Sequence, residues 1–179
     1  MKLKQLYKII SLTLLSTFIF IQSNAQNKNQ MKNKLIAKSS VTINAPATKV
    51  WETITNPVTL QKIMLGMQPI SDWKVGSELR WIGRHKENKD DNAKGKILSM
   101  IKNKELKFTF FYAGYGYPDE PKYYNTVVFH LTAKGNKTLV ETEQGDFSVF
   151  KEGETFIGHT KTFWNDAVKI LKELSETKN

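Results

Sequence analysis

Three histidines are the side chains of this sequence best suited to exchange protons near neutral pH, because the unperturbed pKa of histidine is about 6.5. His85 closes a segment of alternating apolar residues and shares the face of Leu79 and Trp81. It is therefore the best candidate for a general base or a polar anchor. His130 precedes an inward leucine and is expected to face solvent. His159 lies at the edge of the apolar stripe of a helix, where it either lines a cavity mouth or caps the stripe.

The sequence contains no recognised set of metal ligands and no cofactor motif. It has no cysteine, which excludes thiolate nucleophiles, cysteine-ligated zinc and disulfides. His85 with Asp90 and Asp91 has no recognised ligand spacing, and the two acids have turn-like neighbours. Gly114-Tyr-Gly116 lacks the rest of a dinucleotide fingerprint. We therefore expect no metal and no cofactor.

An aromatic segment with two glycines, Phe110-Phe-Tyr-Ala-Gly-Tyr-Gly-Tyr-Pro118, precedes Tyr123 and Tyr124. One interpretation is a core strand that runs into a loop. The other is a lid or cavity rim, because tyrosine combines an apolar ring with a polar hydroxyl. Gly114 and Gly116 would allow such a lid to move. The sequence leaves both interpretations open.

One long helix and a series of strands must position these side chains. Residues 155–176 place apolar side chains on one stripe, which predicts an amphipathic helix with a broad buried face. Its available partner is a sheet, so the fold class is α+β in two layers. Strand patterns occur at 35–43, 77–85, 94–101, 105–112, 126–132 and 138–144, and residues 147–150 are expected to extend the sheet.

Shorter signals complete the assignment. Pro46 and the spacing of Val50 and Ile54 predict a short helix that ends before Pro57. Residues 59–64 are interpreted as a second short helix, and 66–72 as a loop. Lys134-Gly-Asn-Lys137 predicts a hairpin turn.

The first 25 residues have the three parts of a secretory signal. Basic residues precede an apolar run at 9–21, and small residues follow at the usual cleavage spacing. We therefore expect a signal peptide at 1–25, a polar linker at 26–34 and one domain at 35–176. The protein is expected to be periplasmic or secreted, without stable membrane insertion after cleavage. Translation from Met31 would instead give a cytoplasmic domain.

The net charge of +10 raises the question of a nucleic-acid partner. The lysines are scattered singly among acids and do not follow one helix face, so we expect no nucleic-acid binding. Glu141 and Glu143 alternate with Thr142 and Gln144, which suggests acids facing solvent and neutral groups facing the interior. A monomer or weak homodimer is expected.

The order of several segments resembles the START-like (SRPBCC, helix-grip) superfamily, in the branch related to the activator of Hsp90 ATPase. The resemblance covers about residues 35–176. The segments that carry it are Ile43-Asn-Ala-Pro-Ala-Thr-Lys-Val-Trp51, Trp73-Lys-Val-Gly76-Ser77, Gly95-Lys-Ile-Leu98, Val127-Val-Phe-His-Leu131-Thr132 and Trp164-Asn-Asp-Ala-Val-Lys-Ile-Leu171-Lys-Glu-Leu174. It implies a curved antiparallel sheet around a long C-terminal helix, often with an apolar cavity. No universal catalytic motif comes with it.

Three functions are compatible with that fold. The first is an exported protein that binds a small hydrophobic or lipid-like molecule. The second is an acid–base enzyme on a hydrophobic substrate, with His85 as catalyst, although binding without turnover is favoured. The third is a protein-partner module whose interior is filled by its own side chains. The candidate ligand-binding residues are Leu79, Trp81, His85, Phe110, Tyr112, Tyr115, Phe129, Thr142, Gln144, Phe163 and Trp164.

Overall fold

The computed structural model describes residues 33–83 and 93–177. The predicted signal peptide, most of the predicted linker and His85 lie outside these residues. The elements described below belong to one compact unit, Lys34–Asn179. Among the described residues, no helix is both long enough and apolar enough to cross a membrane.

The described residues form seven strands and three α-helices, with short 3₁₀ turns at Ala113–Tyr115 and Pro121–Tyr123. In chain order the elements are β1 (Ala37–Ile43), α1 (Ala47–Thr55), α2 (Pro57–Ile63), β2 (Gln68–Ser71), β3 (Glu78–Ile82), β4 (Ala93–Ile101), β5 (Glu105–Tyr112), β6 (Asn125–Lys134), β7 (Lys137–Gly145) and α3 (Gly153–Glu176).

The strands make one antiparallel sheet in the order β1-β7-β6-β5-β4-β3-β2. The predicted hairpin joins β6 to β7, and Gly135 adopts the positive φ of 61° that its turn requires. β1 forms one edge of the sheet, because it pairs with β7 rather than with the strand that follows it in sequence. The α+β class and the helix-grip arrangement are thus confirmed.

Local sequence sets the ends of the two short helices. Pro46 precedes α1, and Val50 and Ile54 of that helix are fully buried. The side chain of Asn56 accepts a hydrogen bond of 2.9 Å from the amide of Val58 and so caps α2. Pro57 occupies the first turn of α2, where its missing N–H costs no hydrogen bond.

The long helix α3 lies against the sheet through one stripe. Thr160, Trp164, Ala167 and Leu171 are buried, at the spacing that the amphipathic pattern predicts. Trp164 reaches the centre of the core, where four fully buried rings pack in sequence across the sheet. The ring centroids are separated by 5.7 Å for Trp81–Phe108, 6.5 Å for Phe108–Phe129 and 5.3 Å for Phe129–Trp164.

The prediction of a loop at residues 66–72 is wrong, because Gln68–Ser71 forms the edge strand β2. Pro69 lies within it, opposite Trp81 of β3. An edge strand tolerates proline because one side of the strand has no neighbour to receive an N–H. The proline and the four-residue length explain why the pattern did not indicate a strand.

The prediction that residues 147–150 extend the sheet is also wrong. The Asp146 carboxylate accepts hydrogen bonds from the amides of Leu35 (2.9 Å) and Ser148 (2.8 Å), which turns the chain inward after β7. Phe147 and Phe150 are therefore buried in a turn. Burial opposes ionisation of Asp146, but these two hydrogen bonds stabilise the carboxylate and give a net lowering of its pKa.

Candidate functional site

A cavity of about 400 Å³ lies between the N-terminal half of α3, the end of β5 and the chain that follows α2. This volume is in the range of small-molecule sites. Within residues 33–83 and 93–177, no aspartate, glutamate, lysine or arginine lines the cavity. The lining residues are Met64, Leu65, Met67, Gly83, Phe110, Tyr112, Tyr115, Gln144, His159, Thr160 and Phe163.

The wall opposite the sheet comes from the chain that leaves α2. Leu65 and Gly66 have positive φ angles of 52° and 98°, so the helix ends in a tight reversal. The amide of Gly66 donates to the carbonyl of Gln61 at 2.8 Å and closes that reversal. Met64 and Met67 then border the cavity on either side of the turn. Unbranched methionine side chains adapt readily to differently shaped contacts.

Gln144 places an oriented amide at the cavity wall from strand β7. It is 5% exposed, and its Oε1 accepts a hydrogen bond of 2.9 Å from the indole Nε1 of Trp164. Because an indole nitrogen can only donate, this bond fixes which end of the amide is the oxygen. The other end, Nε2, is therefore the group with which Gln144 can bind a ligand, and it is a donor.

Tyr115 borders the cavity on the side of the aromatic segment. Its ring stacks on Phe156 of α3 at a centroid distance of 4.4 Å and meets the ring of Phe150 edge-on at 5.9 Å. Burial raises the pKa of Tyr115, and a hydrogen bond with Thr160 opposes this rise only in part. Tyr115 is therefore a neutral phenol at pH 7, joined to a second neutral hydroxyl.

Two sets of side-chain contacts hold the rest of the aromatic segment in place. In the first set, Tyr117 donates to the Glu152 carboxylate and accepts a hydrogen bond of 2.9 Å from the Lys151 amide. The Tyr117 hydrogen bond lowers the pKa of Glu152. The Tyr117 ring meets Phe150 edge-on at 5.0 Å and lies 4.7 Å from Tyr123.

The second set of contacts involves Asp119. Its carboxylate forms an ion pair with Lys94 and accepts a hydrogen bond of 2.6 Å from the hydroxyl of Tyr124. These partners lower the pKa of Asp119. The ring of Tyr124 stacks on Phe111 at 5.1 Å. The aromatic segment is thus held at two points that follow Tyr115, and Tyr115 itself borders the cavity.

Five predicted ligand-binding residues line the cavity, and five others do not. The lining ones are Phe110, Tyr112, Tyr115, Gln144 and Phe163. Their contact with a ligand stays a prediction. Leu79, Trp81, Phe129, Thr142 and Trp164 are at most 1% exposed and belong to the core. A ligand contact at these five positions stays a prediction too. Strand alternation indicates the face on which a side chain lies, not its distance from the cavity.

The three histidines differ in position. His85 lies outside the described residues. His130 faces solvent as predicted, with its Nδ1 3.5 Å from the carboxylate of Glu105. His159 is exposed and borders the cavity, so it lies at the mouth. Within the described ranges, no three histidine, aspartate, glutamate or cysteine side chains converge in a way that could hold a metal ion.

Sequence reasoning missed the part of the wall formed by Met64, Leu65 and Met67. These residues follow a helix in a stretch that has no period of its own, and most of that stretch was predicted as loop. The cluster of methionines near Gly66 was the available signal, because such side chains often border adaptable binding surfaces.

Comparison with known proteins gives a family and a fold. Residues 44–176 match the family described as "Activator of Hsp90 ATPase homolog 1-like protein". The solution structure of ChR145 from Cytophaga hutchinsonii is 36% identical, with 80% of this chain and 94% of that chain covered and a TM-score of 0.64. A search of curated proteins gave no significant match.

Two further solved structures share the fold at lower identity. The Aha1 dimer from Colwellia psychrerythraea is 20% identical, covers 79% of this chain and 96% of that chain, and has a TM-score of 0.61. CalU16 from Micromonospora echinospora is 21% identical, covers 78% of this chain and 75% of that chain, and has a TM-score of 0.60.

Proposed function

We propose a function for this chain, which belongs to the family of activator of Hsp90 ATPase homolog 1-like proteins: its cavity binds one small, largely apolar molecule. The observation that carries the proposal is the cavity of about 400 Å³, whose described lining residues include no acidic or basic side chain other than His159. Apolar walls with a few placed polar groups are typical of small-molecule sites.

The cavity volume limits the size of the ligand. A water molecule takes about 30 Å³ in the liquid, so 400 Å³ corresponds to roughly 13 waters, or a ligand of about a dozen non-hydrogen atoms. At about 0.5 kcal/mol per atom, such a ligand would gain roughly 6 kcal/mol. That free energy corresponds to a dissociation constant of about 10–100 μM.

Binding is better supported than the two alternatives. A partner module with a filled interior is expected to lack such a cavity. An acid–base enzyme needs a proton-transferring group at the substrate, and the described lining residues include one histidine, His159, and no carboxylate. Because His159 is exposed at the mouth, it is better placed to meet a ligand's outer end than its buried centre.

The first test is mass spectrometry of the natively purified protein under native and denaturing conditions. A co-purifying molecule, released on denaturation, is the expected result. Thr160→Met should fill part of the cavity and reduce occupancy, because Thr160 is a buried lining residue. Asp166→Asn is the control on the exposed face of the same helix. Equal occupancy by the co-purifying molecule in both variants would contradict the proposal, because it would show that the molecule binds outside the cavity.

We further propose that the protein is exported, on the basis of the signal-like pattern in residues 1–25. The mature protein should then begin at Gln26, and N-terminal sequencing of the protein from its native host measures this directly. A chain that begins at Met31 and is recovered from the cytoplasm would contradict export without affecting the ligand proposal.

A further inference from the structure

Asn125, the first residue of β6, is a buried polar side chain without a partner. It is 1% exposed, and within the described part of the chain neither its Oδ1 nor its Nδ2 makes a hydrogen bond. A buried amide that loses its water without finding another partner is strongly unfavourable. Such a group therefore calls for an explanation in terms of what it binds.

The strand register places Asn125 next to the cavity. It pairs with Phe110 of β5, and two residues further along β6, Val127 pairs with Gln144 of β7. Directly opposed side chains lie on the same face of a sheet with Cβ atoms about 5 Å apart. Asn125 is thus the immediate neighbour of Phe110 and the diagonal neighbour of Gln144, both of which line the cavity.

These two amides together offer two NH₂ donor groups and the acceptor oxygen of Asn125. Gln144 presents Nε2, while its oxygen already accepts one hydrogen bond from Trp164. Asn125 presents both Nδ2 and Oδ1. Among the described residues, the cavity lining contains no aspartate, glutamate, lysine or arginine to accompany them. A charged group brought to this end of the cavity would lose its hydration without gaining a counter-charge.

We propose that the ligand carries a neutral polar head that both accepts and donates hydrogen bonds, such as a carboxamide, and that this head binds to Asn125 and Gln144. The inference rests on the proposed function and names its ligand class. The apolar body of the ligand then lies against the methionines after α2 and Phe163. A side-chain movement of Phe110 gives the head access to Asn125, because these two residues are opposed across the strand pair.

The test compares two probes of equal size. Decanamide and decanoate both have about a dozen non-hydrogen atoms, the number that the cavity volume indicates, and they differ in the charge of the head. Calorimetric titration at pH 7 of the wild-type protein should show decanamide binding at least about tenfold more tightly, because decanoate must lose its ionic hydration. This comparison needs no variant and therefore does not depend on a variant folding.

Asn125→Leu then tests the residue itself. Leucine has a similar shape, and removing two unpaired polar groups should leave the thermal stability of the free protein unchanged or higher. Decanamide affinity should fall about tenfold, with decanoate affinity nearly unchanged. Thr138→Val is the matched control, since Thr138 is a buried polar residue of the same sheet whose hydroxyl donates to Ala45 instead. It should leave both affinities unchanged.

Each other outcome decides against the inference. Decanoate affinity equal to or above that of decanamide, and lost in His159→Gln, would place an acidic head at the mouth. Unchanged decanamide affinity in Asn125→Leu, together with a large loss of thermal stability, would assign an internal water to Asn125. Both results would leave the cavity function intact. Binding of neither probe at 1 mM, a limit about tenfold above the weakest expected dissociation constant, would count against the proposed function itself.

Discussion

Two buried tryptophans provide a sharp test of how this core is stabilised. Trp81 and Trp164 are both 0% exposed, and each packs against neighbouring aromatic rings. They differ in their indole nitrogens. Nε1 of Trp164 donates to Gln144 at 2.9 Å, whereas Nε1 of Trp81 has no partner within the described residues. Substitution by phenylalanine removes the same atoms at both sites, so the difference between the two variants isolates the hydrogen bond.

The expected difference in unfolding free energy between the two variants follows from this hydrogen bond. Trp164→Phe loses a hydrogen bond with a net value of about 1 kcal/mol, since water in the cavity can reach the freed amide of Gln144. Trp81→Phe removes an unpaired buried donor and so recovers about 1–3 kcal/mol of its desolvation cost. The loss of aromatic packing is of similar size in both variants. We therefore expect Trp164→Phe to lower the free energy of unfolding by about 2–4 kcal/mol more than Trp81→Phe.

The assay is urea unfolding measured by circular dichroism. The midpoint urea concentrations of the variants are compared, provided that the m-values of the transitions are equal. Circular dichroism is preferred because each substitution removes a fluorophore. A cycle with Gln144→Leu should reduce the additional cost of Trp164→Phe, because the acceptor is then already absent. Equal losses of stability in the two single variants would refute the reasoning. A larger loss for Trp81→Phe would show that its indole nitrogen has a partner, such as an internal water.

Three further predictions concern stability. Gly95→Ala should prevent stable folding, as judged by thermal denaturation, because its Cβ would meet the carbonyl oxygen of Thr109 at 1.7 Å; Gly158→Ala, in open space on α3, should instead stabilise by about 1 kcal/mol. Asp146→Ala should cost stability at pH 7, and this cost should shrink as pH falls through the pKa of Asp146 in the folded state, because a carboxyl whose pKa is lowered by folding stabilises the fold only while it is ionised. Asp119→Asn should leave urea stability nearly unchanged, since its ion pair is exposed to solvent.

The architecture was predictable because its signals are local and repeated. Alternation along β4 to β7 and the stripe on α3 depend on the period of each element, and turns such as Gly135 add independent signals. The edge strand β2 was not predictable in this way, since it is short and contains Pro69. Phe147 was assigned to the sheet because an apolar residue after a strand suggests continuation. The hydrogen bonds of Asp146 that turn the chain inward involve Leu35, which is distant in sequence.

The candidate site was harder to predict because its chemistry depends on which atoms already have partners. Gln144 and Asn125 are both buried amides of the sheet, but Asn125 lies just before the strand pattern at 126–132, where the sequence indicates no role for it. In the fold, Trp164 occupies the oxygen of Gln144 and leaves a donor, whereas Asn125 retains both polar groups. The same distinction separates Trp164 from Trp81, which the sequence predicts as equivalent cavity residues. The polar groups available at this cavity therefore depend on pairings between distant residues, such as that of Trp164 with Gln144 across a sequence separation of 20 residues, and no pattern within a single element contains them.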